Sequence, residues 1–178
     1  MPILIAAIVV VGSLCMLDLL LTFGVIRRLR EHTTMLARSR ETEPPVTGLA
    51  AGMSPDAFSA VTIDGDLVDN AADLRVVAFF SSSCAICPER VPPFTEYVRS
   101  HRIGRDSVLG VVEGSASAPP PYLDQLAAVA QVRIEPPGGE VARAFKVSGF
   151  PAFCVLDSAG TLIASGYDSS VLSEPAAV

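Results

Sequence analysis

The 178-residue chain has no tryptophan, only two histidines and four cysteines, and 13 basic against 19 acidic side chains. That shortage of positive charge, a net of −6, leaves no basic face to neutralise phosphate and argues against a nucleic-acid partner. From Ser54 onward there are 8 basic and 15 acidic side chains, so the later part carries −7 and the first 53 residues +1. Four cysteines, two of them in one motif, do not make a disulfide-stapled scaffold. A tetrahedral zinc site needs four ligands at suitable spacing. Outside that motif the candidates are His32, His101, Cys15 and Cys154, and none forms a second paired motif. No metal or cofactor is expected.

What the chain has in excess is apolar residues: half of it is hydrophobic and mean hydropathy is +0.46. The excess is concentrated at the start. Ile3 to Ile26 is almost continuously apolar and is followed by Arg27-Arg28-Leu29-Arg30. Those 24 residues make about 36 Å of helix, enough to cross a hydrocarbon core of about 30 Å. Asp18 is the single charge within the run, and the flanking Leu, Ile and Val can outweigh its insertion cost of about 2.5–3.5 kcal/mol. Cys15 reads as an apolar filler. No basic region precedes the run and no small-x-small site follows it, so an uncleaved single-pass anchor over residues 1–30 is expected. The basic cluster on its C-terminal side places the rest of the chain in the cytoplasm by the positive-inside rule. Residues 31–52, with mixed charges and Pro44-Pro45, read as a tether, and 53–178 as the folded domain.

Within that domain the chain is organised around Ser81-Ser82-Ser83-Cys84-Ala85-Ile86-Cys87-Pro88-Glu89-Arg90. The C-x-x-C pair follows the apolar run Val76–Phe80, which reads as a buried strand, and precedes a segment of helical content. Placed at a helix N-terminus, Cys84 is favoured as thiolate by unpaired N–H groups and the helix dipole. Cys87, one turn further on, can close a small disulfide. Cys84 is assigned as nucleophile and Cys87 as resolving thiol; redox chemistry is preferred over a zinc pair or an inert one.

Around this motif, Asp64-Gly65 signals a hairpin between 57–63 and Leu67-Val68. Residues 70–74 suggest a turn of helix. Pro92 and Pro93 should kink or split the helix after Cys87. Strands are expected at 108–112 and 132–134, and helices at 122–130 and 140–145, an α/β alternation that indicates parallel pairing. Pro151 opens a last apolar strand, and Asp157–Gly160 turns it into a hairpin with 161–164. Cys154 reads as a small core hydrophobe, and His101 as a surface residue at a helix end.

With Cys84-Ala85-Ile86-Cys87, Pro92 and Pro151 in this order, the chain resembles the thioredoxin superfamily. Within it, the likeness is to membrane-anchored TlpA and MauD-type thiol–disulfide proteins, over about Met53 to Ala164. The resemblance implies a thioredoxin-like α/β fold, a central mixed sheet with flanking helices, behind the transmembrane helix. It implies that Pro151 is a cis-proline facing the disulfide and that Phe150 and Pro151 offer backbone groups to an extended substrate strand. It also implies work outside the membrane on protein thiols, against the charge rule; the extracytoplasmic side is preferred. Three departures stand out. No tryptophan precedes the motif, Ala78 occupies the position where thioredoxins keep a buried acid, and little remains after Ala164 for a terminal helix. Glu89 or Glu113 are the candidates to replace the acid.

The expected function is therefore exchange of disulfides with protein substrates by a membrane-tethered oxidoreductase, recycled by a redox partner. A non-catalytic thioredoxin-like binding module is the alternative. A thiol peroxidase is disfavoured because Ser81 stands where that pattern wants threonine.

Overall fold

In the computed structural model the described residues are 46–173, with Gly12 and Met16 ahead of them. The rest of the expected anchor, including Cys15 and Asp18, lies outside them, as do His32 and the tether up to Pro45. Among the described residues no helix is long and apolar enough to cross a membrane. The chain divides into two compact units, Met1–Pro44 and Pro45–Val178, and the fold is that of the second.

It opens with a two-stranded antiparallel hairpin, β1 (Ser59–Val61) and β2 (Leu67–Asp69). The turn between them is made at Gly65, whose φ of 91° suits a residue without Cβ. Residues 70–74 are not helical. The Asp69 carboxylate accepts the Ala71 N–H at 2.8 Å and the Asp69 carbonyl accepts the Ala72 N–H at 3.1 Å. This side-chain bond captures backbone that a helix would need.

Five further strands form the main sheet: β3 (Val76–Ser81), β4 (Val108–Glu113), β5 (Gln131–Glu135), β6 (Ala152–Leu156) and β7 (Leu162–Gly166). Their spatial order is β5-β4-β3-β6-β7. The three strands β3, β4 and β5 run parallel, and β6 and β7 are antiparallel to their neighbours. The helices are α1 (Cys87–Ser100), α2 (Leu123–Ala127) and α3 (Glu140–Ala144). Helix α1 runs through Pro92 and Pro93 without being split.

Strand β3 is buried along its whole length. Because successive side chains alternate, Val77 and Phe79 enter one core with Phe58, Phe145 and Val141, while Val76, Ala78 and Phe80 enter the other with Cys87, Val91, Phe94 and Leu126. Phe80 meets the rings of Phe94, Tyr122 and Phe153 at centroid distances of 5.9, 6.0 and 5.8 Å. Gly110, beside Ala78 in register, lies so close to α2 that an added Cβ would fall 2.8 Å from Leu126 Cδ2.

Two stretches carry more structure than their composition suggests. Val46, Thr47 and Leu49, in the segment read as tether, are buried, and Thr47 bridges to Val147. Their apolar side chains fill the face that contains Phe145. After β7, a 3-10 turn at Ser169–Ser173 stands where a terminal helix would pack, and Leu172 closes the core beneath it.

Truncating Phe80 to alanine removes the centre of the aromatic cluster and is expected to cost about 3–5 kcal/mol. Gly110→Ala, which overpacks against Leu126, is expected to cost about 1–3 kcal/mol. Urea unfolding of each variant checks both.

Candidate active site

Parallel register brings the C-terminal ends of three strands to one edge of the sheet. Ser81 of β3 faces Glu113 of β4, and Glu113 faces Glu135 of β5. Strand β6 enters from the same edge, with Ala152 opposite Phe79. The chain therefore leaves β3 where the loop before β6 arrives, and Cys84 and Phe150 meet there. This is where open α/β sheets place their sites.

Cys84 and Cys87 are joined in a disulfide with Cα atoms 5.4 Å apart. Their environments differ sharply. Cys87 is 0% exposed and packs in the Phe80 core, whereas Cys84 is half-buried and flanked by exposed Ala85 and Ile86. Cys87, not Cys84, is the first residue of α1; Ile86 is its N-cap and Pro88 lies in the first turn. Cys84 stands one turn earlier, with its carbonyl accepting the Cys87 N–H at 3.3 Å. The expectation that Cys84 opens the helix is corrected accordingly: turns at 82–83 and 85–86 flank Cys84, because the chain must reverse off β3 before α1 can start.

The peptide before Pro151 is cis, and the Phe150 carbonyl oxygen lies 3.7 Å from Cys84 Sγ. Pro151 is buried and Phe150 half-buried. Both residues singled out in the sequence thus lie beside the half-buried Cys84, Phe150 through its carbonyl.

Beneath the disulfide the floor is apolar. Ala78 is fully buried, paired with Gly110 on one side and Phe153 on the other. Glu89 is exposed on α1. Glu113 touches the end of β3: its Oε1 lies 3.5 Å from the buried Ser81 hydroxyl, which is 2.9 Å from the Ser83 hydroxyl. Its Oε2 accepts the Gly138 N–H at 3.3 Å. Tyr122 donates to the Ser81 carbonyl at 3.1 Å, and burial pushes its phenol up to about 12. The hydroxyl pair and the Tyr122 clamp escaped the sequence reading. The three-serine run between strand and motif was the available signal, since serines compete for backbone and carboxylate partners in turns.

Cys154 lies on β6 with no exposure, and burial pushes its thiol up to about 12. It remains a neutral thiol at ordinary pH and does not compete as a nucleophile. His101 is exposed at the end of α1, stacked on Tyr97 at 4.1 Å.

The sequence matches no family model and no curated protein. Solved structures do match. A thiol-disulfide oxidoreductase from Bacteroides fragilis aligns with TM-score 0.57 at 15% identity, over 67% of this chain and 94% of that one. The thioredoxin domain of a thiol-disulfide oxidoreductase from Bacteroides vulgatus aligns with TM-score 0.55 at 17% identity, over 70% and 94%. A thiol:disulfide interchange protein from Bacteroides sp. aligns with TM-score 0.54 at 19% identity, over 70% and 88%. The fold is thioredoxin-like. Within it, this chain keeps a C-x-x-C disulfide and a cis-proline at the sheet edge, and has alanine on the central strand below them.

Helix α1 of this thioredoxin-like domain is held from behind by the last turn. Arg90 pairs with Asp168 at 2.5 Å, and Tyr97 donates to the Leu172 carbonyl at 2.5 Å. The Ser170 N–H bonded to Asp168, with Arg90 beside it, holds the Asp168 carboxyl below its usual 3.8. A depressed folded-state value stabilises the fold above the unfolded value, and the gain is lost as pH falls through the folded one. Both side chains are more than a third exposed, so solvent limits the pair to about 0.2–1 kcal/mol. Asp168→Asn is expected to lose that amount at pH 7 and to match the parent well below pH 3.8, as read from urea unfolding at the two pH values.

Proposed function

We propose that this protein is a membrane-tethered thiol–disulfide oxidoreductase that exchanges disulfides with protein substrates. The observation that carries the reading is the asymmetry of the pair: a half-buried Cys84 sulfur beside the Phe150–Pro151 backbone, and a Cys87 sulfur sealed in the core. The solved structures of this fold that bear thiol–disulfide names support it.

In the reduced protein, the Cys84 thiolate attacks one sulfur of a substrate disulfide. A Cys84–substrate S–S bond forms and the other substrate sulfur leaves as thiolate. Cys87, deprotonated, then attacks Cys84 Sγ, forming the 84–87 disulfide and releasing the second substrate thiolate. Two electrons pass from the cysteine pair to the substrate, and the reverse order oxidises a substrate dithiol. Phe150 and Pro151 hold the substrate as an extended strand across the exposed sulfur, as in strand addition. A separate redox partner recycles the pair.

The apolar run Ile3–Ile26 is the proposed tether, with the domain on the extracytoplasmic side. Its length and hydropathy favour a single span, and the protein thiols such a domain would serve are oxidised mainly outside the cytoplasm.

Replacing Cys87 with serine removes the resolving step, so Cys87→Ser is expected to accumulate mixed disulfides with substrate proteins in cells. Cys84→Ser is expected to accumulate none. Non-reducing electrophoresis and mass spectrometry of the captured species read this directly. Function that survives Cys84→Ser intact would favour a binding module instead.

A further inference from the structure

An open pocket of about 340 Å³ lies between α3 and Phe150, lined by Glu113, Gly138, Arg143, Lys146, Ser148 and Phe150 among others. Phe150 is shared between the pocket and the site: its carbonyl faces Cys84 Sγ. A substrate strand laid along Phe150–Pro151 would therefore pass this opening with a side chain next to its reacting cysteine.

The charges around the opening are unequal in their commitments. Glu113 is engaged through both oxygens, to Gly138 N–H and to the Ser81 hydroxyl. Lys146 leans toward Asp56 at 3.9 Å, in a pair exposed on both sides. Arg143, exposed near the end of α3, forms no ion pair among the described residues. In a domain with a surplus of acid, the uncommitted charge at this mouth is a guanidinium. Such a group binds carboxylates through two parallel N–H bonds.

We propose that this pocket is a specificity subsite that takes an acidic side chain, Asp or Glu, next to the substrate cysteine, with Arg143 as its principal contact and Lys146 assisting. The inference rests on the exchange reading above. Screening matters to it. At 0.1 M salt the Debye length is about 10 Å, so the charges lining the pocket outweigh the distant acidic surface; at 1 M it is about 3 Å, and the preference fades.

The test uses the reduced full chain in mild detergent and a set of disulfide-bonded peptides that differ only in Glu, Gln or Lys beside the attacked cysteine. Exchange rates are followed by stopped flow. At 0.1 M salt the Glu peptide is expected to react about 1.4- to fivefold faster than the Gln peptide, the range of an exposed charge pair, with the Lys peptide slowest. At 1 M salt the three rates should converge, and Arg143→Gln should bring the Glu peptide to the Gln rate. Equal rates at 0.1 M, or a preference for Lys, overturn the subsite while leaving disulfide exchange standing. No exchange with any of the peptides overturns the exchange reading and the subsite with it. Because the salt series needs no substitution, the outcome does not depend on the variant folding.

Discussion

The burial of strand β3 on both faces is the constraint on which the rest depends. Six consecutive residues, Val76 to Ser81, have almost no exposed surface, so each face of the strand must be covered by a complete layer. One layer is built on Phe79, Phe145 and Phe58, the other on Phe80, Phe94 and Phe153. Helix α1 completes the second layer; the turn that carries the chain from β3 into α1 contains Cys84, and Cys87 is the first residue of the helix. The position of the disulfide is a consequence of how a doubly buried strand must end.

The same geometry gives the two sulfurs different surroundings. Cys87 begins the helix and is drawn into the Phe80 core; Cys84 stays on the turn, where the loop before β6 reaches it. The apolar floor, with Ala78 between Gly110 and Phe153, gives Cys87 no carboxylate from the central strand. The polar groups nearby are Glu113, at the end of the neighbouring strand β4, with Ser81 at the end of β3 and Ser83 in the turn after it. The segment 46–49 reinforces the same region. Gly48 N–H donates to the Lys146 carbonyl at 2.8 Å and Ser148 N–H to the Val46 carbonyl at 3.0 Å, which ties the first segment of the domain to the loop that leads to Phe150.

Much of this was legible because local signals agreed with the global fold. The run Val76–Phe80, the Asp64-Gly65 turn and Pro151 before an apolar strand each had one physical reading, and the strands lie where those signals placed them. What was not legible depended on distant partners. Nothing in Val46-Thr47-Gly48-Leu49 shows that it will bridge to Val147, because the pairing joins residues about a hundred positions apart. The five-residue helix α2 is shorter than the expected 122–130, since β5 begins at Gln131, whereas α3 ends within one residue of the expected 140–145. The cysteines and the proline were found by type and spacing; the asymmetry of their burial needed the fold.

That asymmetry is the central claim, and alkylation of the reduced protein tests it most directly. Reduced full chain is exposed to a limiting amount of iodoacetamide, quenched at intervals, and the modified residues are located by peptide mass spectrometry. The account predicts that Cys84 is modified first and that Cys87 and Cys154 remain unmodified while the fold is intact. Modification of Cys87 at a rate equal to or faster than that of Cys84 would contradict it.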